Sequence, residues 1–546
     1  MGGMSSDGLP KIPKIPKRPE LPADQVTPLV LRLLEICHLQ QEQMQQLRDE
    51  IARLKGEQAK PKITPSTLER PRGEKKQGDR PKKRRTRHKT RELTIHETVC
   101  VPPEAVPEGS RFKGYEDFTV QDIRIELHTT RFRLERWRTP SGERLVGTLP
   151  AELGGRHYGP TLISYILHQY HHAHVTQPLL LEQLREWGVD ISVGQLSAII
   201  TEGKAHFHAE KEALLRMGLQ QAGYVHVDDT GARHQGKNGY CTHIGNELFA
   251  YFASTDSKSR LNFLELLRAG RDDYVLNNDA LAYMKAQTLP TGPLALLAGH
   301  AQKTSSSQDA WLATLTGLGI PEPRHIRIAT EGALLGCVLA HGSMRNVVIV
   351  SDDAGQFDVL LHALCWIHAE RVFAKLVAFT DEQREALDAV RTRIWEFYAE
   401  LKAYKTAPRE EKKAVLDARF DDLCAPTTCF VTLNKALQRM HRNKAELLLV
   451  LERPDIPLHN NLSERDIRDY VKKRKISGST RSTEGRRCRD TFASLKKTCR
   501  KNGVSFWDYL VDRIRGTCRI PPLAELIRQH AARGARTLTT THPAGP

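Results

Sequence analysis

Aromatic residues are scarce, 6% of a 546-residue chain, and no stretch approaches the ~20 consecutive apolar residues that a membrane span requires. No partner membrane is therefore expected. The N-terminus has Pro and Lys where a secretory signal would have an apolar core. Ten cysteines (Cys37, Cys100, Cys241, Cys337, Cys365, Cys424, Cys429, Cys488, Cys499 and Cys518) fall without a repeated spacing. That scatter suits a reduced, cytoplasmic chain better than a disulfide framework. Cys365-x-x-His368 offers two ligands where a structural zinc site needs four, and Cys424 and Cys429 lie near no matching pair.

Charge is plentiful and uneven. Of the net +17, residues 60–91 hold +11 (14 Lys/Arg against 3 Asp/Glu) and residues 465–501 hold +10 (14 against 4), so the rest is about −4. Two concentrated basic segments suggest a polyanion, most simply nucleic acid; the bland alternative is a pair of solvated basic surfaces.

Length predicts several domains. Residues 1–26 are Pro-, Lys- and Gly-rich and read as disordered. Residues 27–58 read as a helix with Thr27 as N-cap and Pro28 in its first turn. Val30, Leu33, Cys37, Gln40, Met44, Leu47, Ile51 and Leu54 repeat there at three and four, which favours a coiled coil and a homo-oligomer over a helix packed on its own chain. Residues 59–92 are a basic linker, with Lys82, Lys83, Arg84 and Arg85 placed to neutralise phosphates. Alternation through Val120, Ile123, Ile125, Leu127, Phe132, Leu134 and Trp137 predicts a small β-rich module over 93–158. Residues 159–222 turn helical, and the helix, Gly188 turn and second helix resemble a helix-turn-helix, although an ordinary helical hairpin has the same pattern.

Three strands then follow (Tyr224–Asp228, Tyr240–Gly245, Glu247–Ala253), a helix (Ser259–Leu267) and a fourth strand ending in Asp352. This is the chain order of an α/β, RNase H-like sheet, expected over 223–515 with insertions at about 270–345 and 372–455. The first insertion shows no recognisable chemistry. The second is helical, over Glu382–Lys405 and Glu410–Leu423. Residues 516–546 read as a C-terminal tail.

Asp228 and Asp352 each end an apolar strand, and Glu464 opens a helix. Singly, an acid after a strand more often caps a turn. Jointly, two rigid strand-end carboxylates and one from a helix could hold a pair of divalent ions about 4 Å apart, the arrangement that cuts and joins phosphodiesters. Asn460, Glu464 and Arg468 share a helix face, so Asn460 could orient Glu464 and Arg468 could touch a phosphate. His368 reads as an active-site neighbour or a core histidine. Lys472, Lys473, Arg474, Lys475, Arg486 and Arg487 follow Glu464 and are the expected DNA-backbone contacts.

The blocks His226-Val227-Asp228-Asp229-Thr230-Gly231, Ser351-Asp352-Asp353-Ala354-Gly355-Gln356-Phe357, Cys365-Trp366-Ile367-His368-Ala369-Glu370-Arg371 and Asn460-Asn461-Leu462-Ser463-Glu464-Arg465-Asp466-Ile467-Arg468 stand in this order. Together they resemble the DDE transposases of the insertion sequence 66 type over about residues 112–515. The resemblance implies that Asp228, Asp352 and Glu464 are catalytic and bind two Mg²⁺ (or Mn²⁺) ions. It implies double-stranded DNA partners, namely the terminal inverted repeats of a mobile element and a target, with accessory proteins of the same element as further candidates. It also implies a bacterial, nucleoid-associated location. Two departures stand out: Cys100 is alone where many relatives carry a Cys-rich zinc module, and 270–345 is longer than usual. A regulator that has lost catalysis, and a nuclease without strand transfer, are the other classes open to this sequence.

Overall fold

The computed structural model describes residue 40 and residues 94–150, 153–342 and 344–540. The expected disordered segment, coiled coil and basic linker, with Lys82, Lys83, Arg84 and Arg85, lie outside these, Gln40 apart. Two compact units divide the described residues, with residues 94–129 in one and those from Thr130 onward in the other.

In the first unit, residues 94–129 carry no helix or strand, and Phe112, Phe118, Val120, Ile123 and Ile125 are exposed. The alternation that predicts strands here has no second layer on which to bury its apolar face, and a strand gains little without one. The β-rich module expected over 93–158 reduces, among the described residues, to one exposed hairpin of the second unit, β1 (Arg136–Arg138) with β2 (Arg144–Val146).

Helices α1 (Pro160–His171), α2 (Gln177–Glu186) and α3 (Val193–Thr201) follow. Gly188, at φ 81°, makes the turn between α2 and α3. Ser192 and Gln195 close a reciprocal capping box at the start of α3. Ile166, Leu180, Leu184, Val189, Ile191, Leu196 and Ile200 form their shared core. Helix α4 (Ala205–Gln221) then leads to the central sheet.

That sheet comprises β3 (Tyr224–Gly231), β4 (Tyr240–Gly245) and β5 (Ala250–Thr255), an antiparallel meander. After it come α5 (Arg260–Leu267) and an insertion made of β6 (Tyr274–Val275), α6 (Asn278–Ala286), α7 (Thr291–Gly299), β7 (Thr304–Ser305), α8 (Gln308–Gly317) and α9 (Pro323–Ala340). Strands β8 (Val348–Ser351) and β9 (Leu361–Leu364) return to the sheet in parallel, giving the order β5-β4-β3-β8-β9. The third strand starts three residues later than its pattern predicts, at Ala250 instead of Glu247. The second insertion is helical: α10 (Trp366–Ala374), α11 (Asp381–Thr406), α12 (Glu410–Cys424), α13 (Val431–Arg442) and α14 (Lys444–Leu447). The chain ends in α15 (Asn461–Ser477), α16 (Thr483–Lys501), α17 (Phe506–Arg515) and α18 (Leu523–Thr540).

Strand parity sorts the core. Val225, Val227 and Ile349 face one side, against α4, α5 and α9. Val348 and Val350 face the other, against the helical insertion. The first insertion is no separate lobe, because Ala329, Ala333 and Leu334 of α9 belong to the main core. The segment read as a tail carries α18, whose Leu523 and Ile527 are fully buried.

An edge strand leaves a row of unpaired backbone groups. Here α16 covers β5: Ala250 N–H donates to Thr498 Oγ1 (3.2 Å), Phe252 N–H to Ser494 Oγ (2.9 Å) and Ser254 N–H to Asp490 Oδ2 (2.7 Å). This pins α16, and α15 before it, across the sheet.

Candidate active site

The parallel register of β3 and β8 pairs Tyr224 with Val348, Val225 with Ile349 and His226 with Val350. Carried two residues on, it sets Asp228 beside Asp352 at the C-terminal strand ends. By parity both lie on the face of Val348 and Val350. Burial pushes the Asp228 carboxyl up to about 7, against a hydrogen bond from the Asp229 amide and with help from the charges of Asp352 and Asp229. Asp352 Oδ1 is buried and has no hydrogen-bond partner. Two carboxylates are thus held together, one of them with a buried oxygen that no protein group satisfies.

Their sequence neighbours are treated differently. Asp229 accepts hydrogen bonds from Thr242 Oγ1 (2.5 Å) and Gln356 Nε2 (2.9 Å). Asp353 accepts from Arg439 Nε (2.9 Å) and Asn443 Nδ2 (3.2 Å). Protein groups satisfy these two acids, which singles out Asp228 and Asp352 as the pair free to take a ligand.

Helix α15 brings the third acid over the same face. Asn460, fully buried, precedes it. Asn460 Nδ2 donates to Val227 O (2.7 Å), Asn460 Oδ1 accepts from His226 Nδ1 (2.9 Å), and its N–H donates to Cys365 Sγ (3.1 Å). Its side chain therefore holds the helix start to β3, one residue from Asp228; its link to Glu464 is the backbone bond from Glu464 N–H to Asn460 O (3.3 Å). Further along, His243 and Ser463 share a hydrogen bond of 2.7 Å, and Tyr470 stacks on Phe252.

Glu464 Oε1 lies 3.1 Å from Arg371 Nη1 and 3.5 Å from His368 Nε2, and Oε2 lies 3.8 Å from Arg468 Nη2. Burial, with Arg371, pulls the His368 pKa down, against the charges of Asp352 and Glu464. His368 thus stands between the second and third acids. Among the described residues, the three-donor groups tight enough for a single caged ion are Asp273/Cys337/His341 and Asp358/His362/Glu446, so the three acids of the site stand more openly. Cys365 and His368 belong to neither group.

A buried hydrogen-bonded chain supports the Asp352 strand end. Ser351 Oγ donates to Asp352 O (2.5 Å) and accepts from His362 Nε2 (2.7 Å), whose Nδ1 bonds Glu446 Oε1 (2.7 Å). Sequence spacing hides this chain, since β9 falls outside the expected strands. Lys258, whose charge acts on both Asp228 and Asp229, escapes sequence reasoning for the same reason: only folding brings it near.

The basic segment after Glu464 needs correction. Lys473 is buried, donates from Nζ to Tyr170 O (2.7 Å) and lies 3.5 Å from the Tyr170 ring centroid. Burial, with Arg489 and Lys496 nearby, brings its pKa down to about 7. Its ammonium is thus engaged inside the protein and not at the surface. Arg474 turns inward to Gly231 O and Thr230 Oγ1, and Arg486 pairs with Asp256 at 2.7 Å. Lys472, Lys475 and Arg487 remain exposed, as do Arg465 and Arg468. A helix buries a stripe and cannot present every residue of a run, so consecutive Lys and Arg divide between core and surface.

A carboxylate-lined site at the strand ends of a mixed α/β sheet is the class of centre these residues define. A family model described as "Transposase IS66 family" matches residues 339–487, a span with Asp352, His368 and Glu464 but not Asp228. An uncharacterized protein of Sinorhizobium fredii, y4jO, is 45% identical over 321 residues, covering 58% of this chain and its own full length. The chain belongs to the IS66 transposase family. No helix among the described residues is long and apolar enough to cross a membrane.

Proposed function

We propose that the transposase binds the terminal inverted repeats of its element, cleaves their 3′ ends and joins them to target DNA, in an RNase H-like core with Asp228, Asp352 and Glu464 as its catalytic acids. The observation that carries this reading is the in-register pair Asp228 and Asp352, with a buried oxygen of Asp352 unpartnered and Glu464 arriving from α15.

The donor set suits Mg²⁺ or Mn²⁺, because it consists of carboxylate oxygens with no thiolate. Bound divalent ions would stabilise the attacking and leaving oxygens of a phosphodiester displacement. Asp228 and Asp352 are their expected ligands, with Glu464 completing the set once it exchanges its contact with Arg371. Arg371 and Arg468 are then free to meet a phosphate, and His368 is positioned to donate to the same group. Asn460 keeps the spacing between α15 and β3. Arg465, Arg468 and Lys472 continue along the exposed side of α15 as contacts for the DNA backbone, which carry affinity but little sequence information. The α1–α3 helices are the proposed reader of the repeat.

A labelled terminal-repeat duplex incubated with Mg²⁺ or Mn²⁺ tests this. The expected products are 3′-end nicks followed by strand-transfer species. Nicks alone would mark a nuclease, and tight binding with neither product a regulator.

A further inference from the structure

The insertion over 270–345, in which sequence reveals no chemistry, holds a second donor cluster. Asp273 precedes β6, while Cys337 and His341 stand four residues apart at the C-terminal end of α9, on one helix face. One ligand atom of each lies within 4.8 Å of the other two. Cys337 Sγ is 3.2 Å from Asp273 Oδ1, and His341 Nε2 is 3.4 Å from Asp273 Oδ2. With ligand bonds of about 2.0–2.3 Å, the edges of a zinc tetrahedron measure roughly 3.5 Å; the two short separations run to different Asp273 oxygens, so the three donors, all within 4.8 Å of one another, would close on an ion by a modest turn of that carboxylate and of the two side chains. We propose that Asp273, Cys337 and His341 bind a zinc ion, with water as fourth ligand.

The donor types select the metal. Sulfur, imidazole nitrogen and one carboxylate suit zinc and disfavour Mg²⁺ or Mn²⁺, so this site does not compete for the ions proposed at the three acids. The Cys337 thiol hydrogen-bonds Asp273 across the position the ion would take. Zinc displaces that proton, leaving one thiolate and one carboxylate to neutralise a divalent charge. Arg216, Arg268 and Arg271 line the adjoining cleft, together with Cys337 and His341. Arg268 is itself paired with Glu265. Cys337 is fully buried whereas His341 is exposed, so the cleft gives the ion a way in. The bound ion would fasten the 268–273 turn to α9.

The test uses the full chain, purified without chelator. Metal analysis should find about one zinc per chain, lost in Cys337→Ser and His341→Ala. Cobalt(II) added to metal-free protein should give a thiolate-to-cobalt charge-transfer band, which the carboxylates of the other site cannot produce. The same band should be absent from Cys337→Ser. Wild-type protein with no zinc and no cobalt band would overturn the proposal, as would a band that survives Cys337→Ser. Should the His341 variant fail to fold, the wild-type cobalt spectrum and its reversal by added zinc still decide the matter.

Discussion

At the scale of single residues, the distinction that matters is between neighbouring acids. Asp228 and Asp229 are equally acidic in sequence, and so are Asp352 and Asp353. Folding separates them: Thr242 and Gln356 occupy Asp229, and Arg439 and Asn443 occupy Asp353. Asp228→Asn, Asp352→Asn and Glu464→Gln are each expected to lower terminal-repeat cleavage by at least roughly 10³-fold, the order of loss seen when one member of a catalytic unit is removed, while DNA affinity holds. Loss of cleavage in Asp229→Asn with Asp228→Asn still active would shift the assignment by one position. Asn460→Ala touches no proposed metal ligand directly, so roughly 10–100-fold loss is expected, as for other groups that orient ligands. The placement of Asp228, Asp352 and Glu464 at strand ends and a helix start was legible because such positions leave local signatures. Lys258, Gln356, Arg439 and the Ser351–His362–Glu446 chain were not, since their roles exist only through long-range contacts that no spacing encodes.

At the scale of elements, α15 and α16 have two faces with separate jobs. Inward, Asp469 pairs with His174 (3.1 Å) and Lys496, and Asp466 with Lys501 (2.8 Å). Outward, Lys472, Lys475 and Arg487 face solvent. Lys473→Ala should therefore lower thermal stability and leave DNA affinity unchanged. Replacing Lys472, Lys475 and Arg487 by Ala should weaken terminal-repeat and unrelated duplexes by similar factors, with the salt slope falling by about 0.9 for each phosphate no longer neutralised. A selective loss on the repeat would move base recognition to this helix pair. The inner face makes a prediction about pH. Burial tends to raise the Asp469 pKa, but His174 and Lys496 outweigh it and hold the carboxyl well below its ordinary range. A depressed folded-state value means stability that is present above the unfolded value near 4 and lost as pH falls below it. Asp469→Asn should cost about 1–3 kcal/mol at neutral pH and flatten the acid limb of a stability-against-pH curve; an unchanged limb would refute the pairing as a source of acid lability. Helix bounds such as Asp381–Thr406 and Glu410–Cys424 agree with the periodicity to within a residue or two. The division of a basic run into buried and exposed residues does not follow from periodicity, because it depends on where the sheet lies.

At the scale of the whole molecule, charge and catalysis occupy different parts of the chain. The proposed site lies within residues 228–464, whereas residues 60–91 hold +11 of the net +17. Part of the +10 over 465–501 faces inward or is neutralised from outside the segment: Lys473 is buried, Arg474 turns to Gly231 O and Arg486 pairs with Asp256, so the N-terminal charge should supply a larger share of DNA affinity than composition alone indicates. Each phosphate that the protein neutralises releases counterions, and log affinity falls linearly with log salt in proportion to the number of phosphates so neutralised. Deleting residues 1–92 should therefore weaken binding, reduce the salt slope more than the three surface substitutions on α15 and α16 do, and leave the thermal transition of the catalytic core in place. The same deletion removes the heptad-like repeat from Val30 to Leu54, so the truncated chain should sediment as a smaller species than the full protein. An unchanged salt slope would place the DNA contacts elsewhere, and an unchanged oligomer would mean that self-association resides in the core.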